Sequence, residues 1–355
     1  MKPRLARLAE HLRRYLFFYA SGAIAVGWTL GIAWGDLART YQTQLGVVMN
    51  VLVFLMIYPM MIGLDLEQLP RILAKPRPIV LSLLYNFVVT PVLSFGLAKL
   101  LSGPPELALG FYLVMLIPGA SMAVAYTGMA GGSLEVATLA QATGFLVVPF
   151  VLPMVLHFLG QAYAIEVPLG SIAMTVVTVL ILPMVVGDLT RRALLRRGGP
   201  PALLRIKPLL GLVPAVTMLV MMGLIFFSKG VMLAQNWPIL LPLLGVTLAF
   251  LVIMLTLMTW LNRRLGLSYE EHMAVAFVSS GKNNATAIAI ALSAAAFGPL
   301  VAVPAATLPL FQAILLVGYV HLAGSIRRYY GASERKPPHQ QARAQTIATE
   351  GSRHE

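Results

Sequence analysis

The stretch that decides the fold is Ser279-Ser280-Gly281-Lys282-Asn283-Asn284-Ala285-Thr286, a polar segment between two apolar runs. Together with the flanking runs, 273–278 and 287–297, it is long enough to cross a lipid bilayer. A lysine at that depth costs about 2.5–3.5 kcal/mol on insertion scales, so it normally has a function or a partner. The stretch therefore predicts an interrupted transmembrane helix with a functional polar centre.

The composition excludes several classes of protein. Of the 355 residues, 58% are hydrophobic and 11% are charged, which is typical of a polytopic membrane protein. The absence of cysteine excludes disulfides, thiolate metal sites and cysteine nucleophiles. The sequence has no pair of carboxylates near a histidine, no phosphate-binding loop and no histidines at the spacing of metal ligands. We therefore expect no enzyme, no cofactor, no metal site and no nucleic-acid partner.

Ten apolar runs predict ten transmembrane helices, here called spans 1 to 10. They cover residues 17–35, 45–64, 78–101, 107–131, 134–159, 168–189, 209–227, 238–261, 272–297 and 301–324. The net charge of +13 lies in alternate loops and in both tails, and the remaining loops carry only Arg39, Lys99 and Lys229. This alternation fits the positive-inside rule with both termini in the cytoplasm, and we expect the protein in the cell (inner) membrane. We expect a basic cytoplasmic tail at 1–16 and a disordered cytoplasmic tail at 325–355.

The two halves of the chain carry matching features in the same order. Span 1 ends in Gly35-Asp36-Leu37-Ala38-Arg39, and span 6 ends in Gly187-Asp188-Leu189-Thr190-Arg191. Span 4 is interrupted at Pro118-Gly119-Ala120-Ser121, and span 9 at Ser280-Gly281-Lys282-Asn283. Since each half has an odd number of spans, the second half enters the membrane from the opposite side, which predicts an inverted repeat.

The repeat predicts the fold and the location of the site. Its halves are residues 17–160 and 161–324. The interrupted spans 4 and 9 occupy corresponding positions and are expected to cross at the midplane, in a protein-lined or watery cavity that tolerates broken backbone. The predicted fold is an all-α polytopic membrane protein with ten transmembrane helices in two inverted five-helix repeats, an architecture that favours secondary transport. A proline kink without a function is the alternative at Pro118.

Three segments of the chain carry a family resemblance. They are Met56-Ile57-Tyr58-Pro59-Met60-Met61 in span 2; Pro118-Gly119-Ala120-Ser121 followed by Ala130-Gly131-Gly132-Ser133; and Ser280-Gly281-Lys282-Asn283-Asn284 followed by the small-residue helix 285–296. Over residues 17–324 the chain resembles the bile acid:sodium symporter superfamily, and in pattern its arsenical-resistance arsenite permease branch. The resemblance implies a ten-helix transporter in which a core domain moves against a panel domain.

Departures from the family pattern bear on ion coupling. Sodium-coupled relatives carry a Ser-Asn pair after the span 4 break, hydroxyls on span 5 and a glutamate before the span 9 break. The matching positions here are Ala123 and Val124, Ala137 and Gln141, and Ser279. Because a hard cation needs several oxygen ligands, this pattern predicts sodium-independent transport. Arsenite permeases carry a cysteine and a glutamate where this chain has Gly119 and Thr286, which disfavours arsenite.

Lys282 is the leading candidate for a functional residue. Its ammonium can occupy the space that a coupling cation fills in relatives, and it can release and rebind a proton during the cycle. It can instead bind an anionic substrate, or pair with a carboxylate in a structural role. Glu135, at the start of span 5, is a candidate proton relay or counter-ion, although capping a helix N-terminus would also explain it.

Other polar side chains near the breaks are candidates for substrate or ion binding. The amides can bind substrate or satisfy the broken backbone, and the hydroxyls can contact substrate or bond helix carbonyls. Tyr126 can serve as a gate, as a ligand or in packing. The full predicted set is Lys282, Asn283, Asn284, Ser279, Ser280, Thr286, Ser121, Tyr126, Thr127 and Gln141, with helix breaks at Pro118, Gly119 and Gly281.

The sequence thus predicts a secondary active transporter for a small organic anion or a neutral oxyacid. Arsenite or antimonite efflux and sodium-coupled bile-acid-type symport are alternatives of the same class. A membrane channel or sensor on the same fold is the alternative of a different class. The expected partners are the small-molecule substrate and the lipid bilayer, and both a monomer and a homodimer stay open.

Overall fold

The structure is a computed structural model that describes residues 8, 11–12, 15–64, 76–101, 103–119, 121–162, 168–235, 237–294, 297 and 299–332. Every regular element in these ranges is a helix, which confirms the predicted all-α class. The helix is the element expected here, because in a bilayer it satisfies its backbone N–H and C=O groups internally.

The helices of the first half run from α1 to α8. They are α1 (Leu16–Ala33), α2 (Gly35–Thr40), α3 (Gln42–Ile62), α4 (Pro76–Leu84), α5 (Thr90–Ala98), α6 (Pro105–Met115), α7 (Ser121–Met129) and α8 (Leu134–Ala162). A π-helical turn, Tyr85–Val89, joins α4 to α5 in one continuous helical stretch.

The helices of the second half run from α9 to α17. They are α9 (Leu169–Val176), α10 (Leu182–Ser228), α11 (Gly230–Gln235), α12 (Leu240–Arg264), α13 (Tyr269–Ser280), α14 (Asn284–Ser293), α15 (Val303–Thr307), α16 (Pro309–His321) and α17 (Ala323–Tyr329). A π-helical turn, Val177–Ile181, joins α9 to α10, and 3-10 turns lie at Trp237–Ile239 and Pro299–Ala302.

Seven helical stretches in the described residues are long and apolar enough to cross a membrane. They are Leu16–Ala33, Gln42–Ile62, Pro76–Ala98, Leu134–Phe158, Leu169–Ser228, Leu240–Arg264 and Leu300–His321. The stretch Leu169–Ser228 contains both predicted spans 6 and 7, and its helical geometry breaks at Gly199, where φ is 60°. Predicted spans 4 and 9 are each two shorter helices, α6 with α7 and α13 with α14. The chain is therefore a multi-pass membrane protein, and the count of ten stays a prediction.

Helix α10 packs against both α1 and α3, and these three helices form the first of two groups, here called the panel. Small residues permit this packing: a side chain at Gly27 would collide with the Gly223 carbonyl, and a β-carbon at Gly187 would lie 2.7 Å from the Met61 β-carbon. The second group, here called the core, surrounds α13, which contacts α4, α7, α8 and α12. The core also includes α14, which follows α13 in span 9, and α16, which contacts α7 and α12. Residues 273–278 of α13 are completely buried.

The predicted tails lie largely outside the described part of the chain. Helix α17 ends at Tyr329, and residues 333–355 are not described. The domain boundaries proposed from the sequence, including the tails at 1–16 and 325–355, therefore stay predictions.

Candidate functional site

The two helix breaks, 116–119 and 281–283, meet inside the protein. The amide of Gly119 donates to the Val278 carbonyl at 3.0 Å, and the amide of Asn283 donates to the Ile117 carbonyl at 3.3 Å. A β-carbon at Gly119 would lie 2.5 Å from the Gly281 carbonyl oxygen, so this close approach requires glycine. Each interrupted span thus satisfies backbone groups of the other that would be costly to leave unpaired in a membrane.

Local residue chemistry explains where the second half of span 9 begins. The side chain of Asn283 accepts a hydrogen bond from the Thr286 amide at 3.2 Å and caps α14. Its amide nitrogen lies 3.3 Å from the Met60 sulfur on α3. Of the two roles predicted for Asn283, satisfying the broken backbone is therefore present in the structure.

Lys282 is buried, with 3% of its surface exposed. Its Nζ donates to Asn86 Oδ1 at 3.1 Å and lies 5.5 Å from the centre of the Phe250 ring. Gln312 on α16 clamps the Lys282 backbone, accepting from its amide at 2.8 Å and donating to its carbonyl at 3.1 Å. The ion pairs found among the described residues, Arg192–Asp188 and Arg327–Glu270, do not involve Lys282. A neutral amide and an aromatic face, rather than a carboxylate, surround its ammonium there.

Asn86 is a further residue of the candidate site, and the sequence reasoning missed it. It lies in the π-helical turn and is 1% exposed. Its amide nitrogen donates to the Ser82 carbonyl at 2.9 Å and to Ser279 Oγ at 3.2 Å, and the two serine hydroxyls are 3.2 Å apart. These contacts turn Asn86 Oδ1 towards Lys282. Ser279 thereby joins the Lys282 site through Asn86.

A cavity of about 120 Å³ lies beside the crossing, between the panel and the core. The predicted site residues that line it are Gly119, Tyr126, Gly281, Lys282, Asn283 and Asn284. Neither Asn86 nor Phe250 belongs to the lining. The ammonium of Lys282 therefore points into the core, away from the cavity, while other parts of the residue border the cavity.

The remaining predicted residues lie away from this cavity. Ser280, Thr286 and Thr127 are completely buried, and Thr127 donates to the Ala123 carbonyl at 2.9 Å. Gln141 on α8 is 8% exposed and is not part of the lining. Glu135 is exposed in the first turn of α8.

Pro118 and Ser121 are the last two predicted site residues to be located, and the arrangement of the described His, Asp and Glu residues bears on metal binding. Pro118 lies in the first break, and its ring packs near Gly144. The side chain of Ser121 lies outside the described part of the structure. Within the described ranges, no group of three or more His, Asp or Glu residues is placed to hold a metal ion.

Comparisons of the sequence with known proteins show the family to which the chain belongs. Residues 50–236 match the sequence model described as Sodium Bile acid symporter family. The chain is 23% identical over 286 residues to "Uncharacterized sodium-dependent transporter YocS" of Bacillus subtilis, covering 78% of this chain and 82% of that protein. It is 23% identical over 201 residues to "Arsenical-resistance protein Acr3" of Alkaliphilus metalliredigens, covering 52% of this chain and 56% of that protein.

A plant protein is similar over a shorter region. "Probable sodium/metabolite cotransporter BASS1, chloroplastic" of Arabidopsis thaliana is 28% identical over 124 residues, covering 35% of this chain and 31% of that protein. The family match covers more than half of the present chain and includes α4 to α10, with the first of the two breaks. The predicted resemblance is thus confirmed, and the chain belongs to the Sodium Bile acid symporter family of membrane transporters.

Proposed function

We propose that this protein is a secondary active transporter that moves a small organic anion or neutral oxyacid without sodium, with the ammonium of Lys282 in place of a coupling cation. One observation carries the proposal. The Lys282 Nζ is buried against Asn86 Oδ1 at 3.1 Å, on the core side of the broken helix rather than in the cavity. A lysine that served as a substrate ligand would direct its ammonium into the cavity.

The chemistry of the ammonium fits this role. It carries one positive charge and three donors on a flexible stem, so it can satisfy oxygen acceptors that would otherwise receive a bound ion. Because the charge is covalently attached, it stays with the protein throughout the cycle and needs no ion from solution. Gln312 clamps the Lys282 backbone to α16, so the charge moves with the core.

The proposal includes the full transporter architecture. Ten transmembrane helices form two inverted repeats, and spans 4 and 9 cross at the midplane. The protein lies in the inner membrane of the cell, with both termini in the cytoplasm. The mutual hydrogen bonds of the two breaks and the cavity between panel and core support this arrangement. Movement of the core against the panel would expose the crossing to each side in turn.

The cavity favours a small anionic or hydroxyl-bearing substrate. Asn284 opens α14, and the N-terminus of a helix attracts negative charge. Its Oδ1 is buried beside the cavity and accepts no hydrogen bond from the described residues, and Asn284 lines the cavity at 7% exposure. An acceptor in this position suits a substrate hydroxyl, whereas the helix terminus suits a carboxylate or an oxyanion. The cavity volume of about 120 Å³ favours a small solute.

Arsenite or antimonite efflux is the second candidate function. The likeness to the arsenical-resistance protein, over about half of each chain, favours it. Gly119 and Thr286 at the two positions discussed above disfavour it. A melting-temperature screen of the purified protein against organic anions, arsenite and antimonite, at several pH values with and without sodium, separates these substrates.

Transport by the ligand that the screen identifies tests the proposal in proteoliposomes. The intact protein is expected to show saturable counterflow that is equal in sodium and in N-methylglucamine buffer. Lys282→Met is expected to insert and fold but to lose transport and any pH dependence of uptake. Sodium-stimulated uptake by the intact protein, or an unchanged pH profile in Lys282→Met, would refute the proposed role. A steady conductance without counterflow would identify a channel instead.

A further inference from the structure

A second cavity lies at the opposite end of the panel from the break cavity. Its volume is about 680 Å³, and the ends of α1, α3 and α10 line it together with α2 and the start of α11. Leu292, at the far end of α14, is the one described lining residue from the core, and no described residue of either helix break borders the cavity. The cavity thus lies at the junction of the panel and core, separated from the crossing by the length of α14.

The polar lining of this second cavity is basic. Arg39 and Lys229 line it, together with Gln42 and Ser228, and none of the described lining residues is acidic. Asp36, three residues before Arg39, borders a separate depression with Trp34. The loops on the side of the membrane that is predicted to be poor in positive charge contain only three basic residues, and two of them line this cavity.

Helix capping does not explain the pairing of the two cations. Arg39 lies in the last turn of α2 and Lys229 directly follows α10, where a cation is favourable beside the free carbonyls. That effect accounts for each residue separately. It does not account for their convergence on one water-accessible cavity, where charges of one sign focus the field and concentrate anions.

We propose that this cavity is an outer vestibule that captures organic anions bearing a carboxylate or sulfonate, with Arg39 and Lys229 as the binding residues. The inference rests on the proposed transport function, because it assigns the anion class to the same translocation route. It adds a site that is separate from the crossing. An anion held there would be released to the crossing when the contact between α14 and α3 opens.

The absence of cysteine from the chain allows a direct test of the vestibule. A single Gln42→Cys substitution places a reporter thiol on an exposed lining residue. Its rate of reaction with an anionic sulfonatoethyl methanethiosulfonate is compared with its rate for the cationic trimethylammonium analogue, using the purified protein. The ratio of the anionic to the cationic rate, each divided by the rate of the same reagent with free cysteine, is expected to be about ten. Adding Arg39→Gln and Lys229→Gln is expected to bring the ratio close to one.

Lys99→Gln is the matched control, because Lys99 lies on the same side of the membrane but outside the cavity lining. It should leave the ratio unchanged. Melting temperatures and elution profiles verify that the variants are folded. A ratio near one in the parent, an unreactive thiol, or a ratio that the double substitution does not alter would overturn the proposal. Thiol reactivity requires no transport, so this result is independent of the success or failure of the proposed transport mechanism.

Discussion

Lys282 and Asn86 form the pair of residues on which the account depends. A buried cation normally requires a carboxylate or several oriented dipoles, since transfer of a charge out of water is costly. Here Asn86 Oδ1 accepts from Nζ at 3.1 Å, and the rest of the Asn86 amide is held by Ser82 and Ser279. The position of the ammonium therefore depends on the orientation of one neutral amide.

Asn86→Leu is expected to destabilise the protein by about 1.5–3 kcal/mol, because a hydrogen bond to a charged group is lost and the ammonium is left without its acceptor. In a Lys282→Met background the same substitution should cost much less, since no charge remains to be satisfied. Unfolding in detergent, measured for the parent, both single variants and the double variant, gives the coupling energy. Additive effects would show that the pair is not a unit.

Lys282 was predicted from the sequence and Asn86 was not, although the sequence contains a pattern of polar residues that includes Asn86. Lys282 stands out because a charge interrupts an apolar run. Span 3 contains Ser82, Asn86, Thr90 and Ser94 at intervals of four residues, which places them on one helical face, and all four are buried. That stripe predicts a polar face directed into the protein. Its partner on span 9 follows only from the tertiary packing.

At the scale of elements, two short helix pairs replace two continuous spans. The positions of these breaks are predictable, because proline lacks the amide of a helix interior and Asn283 is suited to an N-cap. Their close contact is less predictable, since it depends on Gly119 facing Gly281 across the crossing. The length of a helix is also a weak guide to the number of spans here. The helices of the broken spans are each too short to cross a membrane alone, and the single stretch Leu169–Ser228 contains two predicted spans.

Gly119→Ala is expected to abolish transport and to destabilise the protein by about 1–3 kcal/mol, the usual range for overpacking. Its β-carbon would lie 2.5 Å from the Gly281 carbonyl oxygen and 2.8 Å from the Ala123 β-carbon, neither of which can move without displacing backbone. Uptake in proteoliposomes and thermal unfolding measure the two effects.

Gly96→Ala is the matched control for the crossing glycine. Gly96 lies within α5, and an added β-carbon would meet nothing within 4 Å. This substitution should leave transport unchanged and stabilise the helix by up to about 1 kcal/mol. Normal transport by Gly119→Ala would show that the close contact at the crossing is not required.

At the scale of the whole molecule, the two cavities lie at opposite ends of the panel–core junction. One reaches the helix breaks and the other does not, and the contact between α14 and α3 lies between them. To pass a solute from one cavity to the other, such a molecule must change the position of the core relative to the panel. A rigid pore would instead connect them.

Cross-linking across the second cavity is expected to stop transport. Met49→Cys on α3 and Leu292→Cys on α14 would place the only two thiols in the lining of that cavity, one on the panel and one on the core. A bifunctional methanethiosulfonate reagent should abolish counterflow in the double variant, and a reductant should restore it. Each single variant, treated in the same way, should retain counterflow. Full activity of the cross-linked protein would exclude movement at this junction.

The most direct test of the central claim is the effect of cations on the melting temperature of the purified protein and of Lys282→Ala. If the Lys282 ammonium replaces a coupling cation, the intact protein should melt at the same temperature in sodium and in N-methylglucamine buffer. Lys282→Ala should melt lower, and n-propylammonium should raise its melting temperature by binding where the side chain was, while leaving the intact protein unchanged. A sodium-dependent rise in the intact protein, with no response of Lys282→Ala to n-propylammonium, would contradict the account.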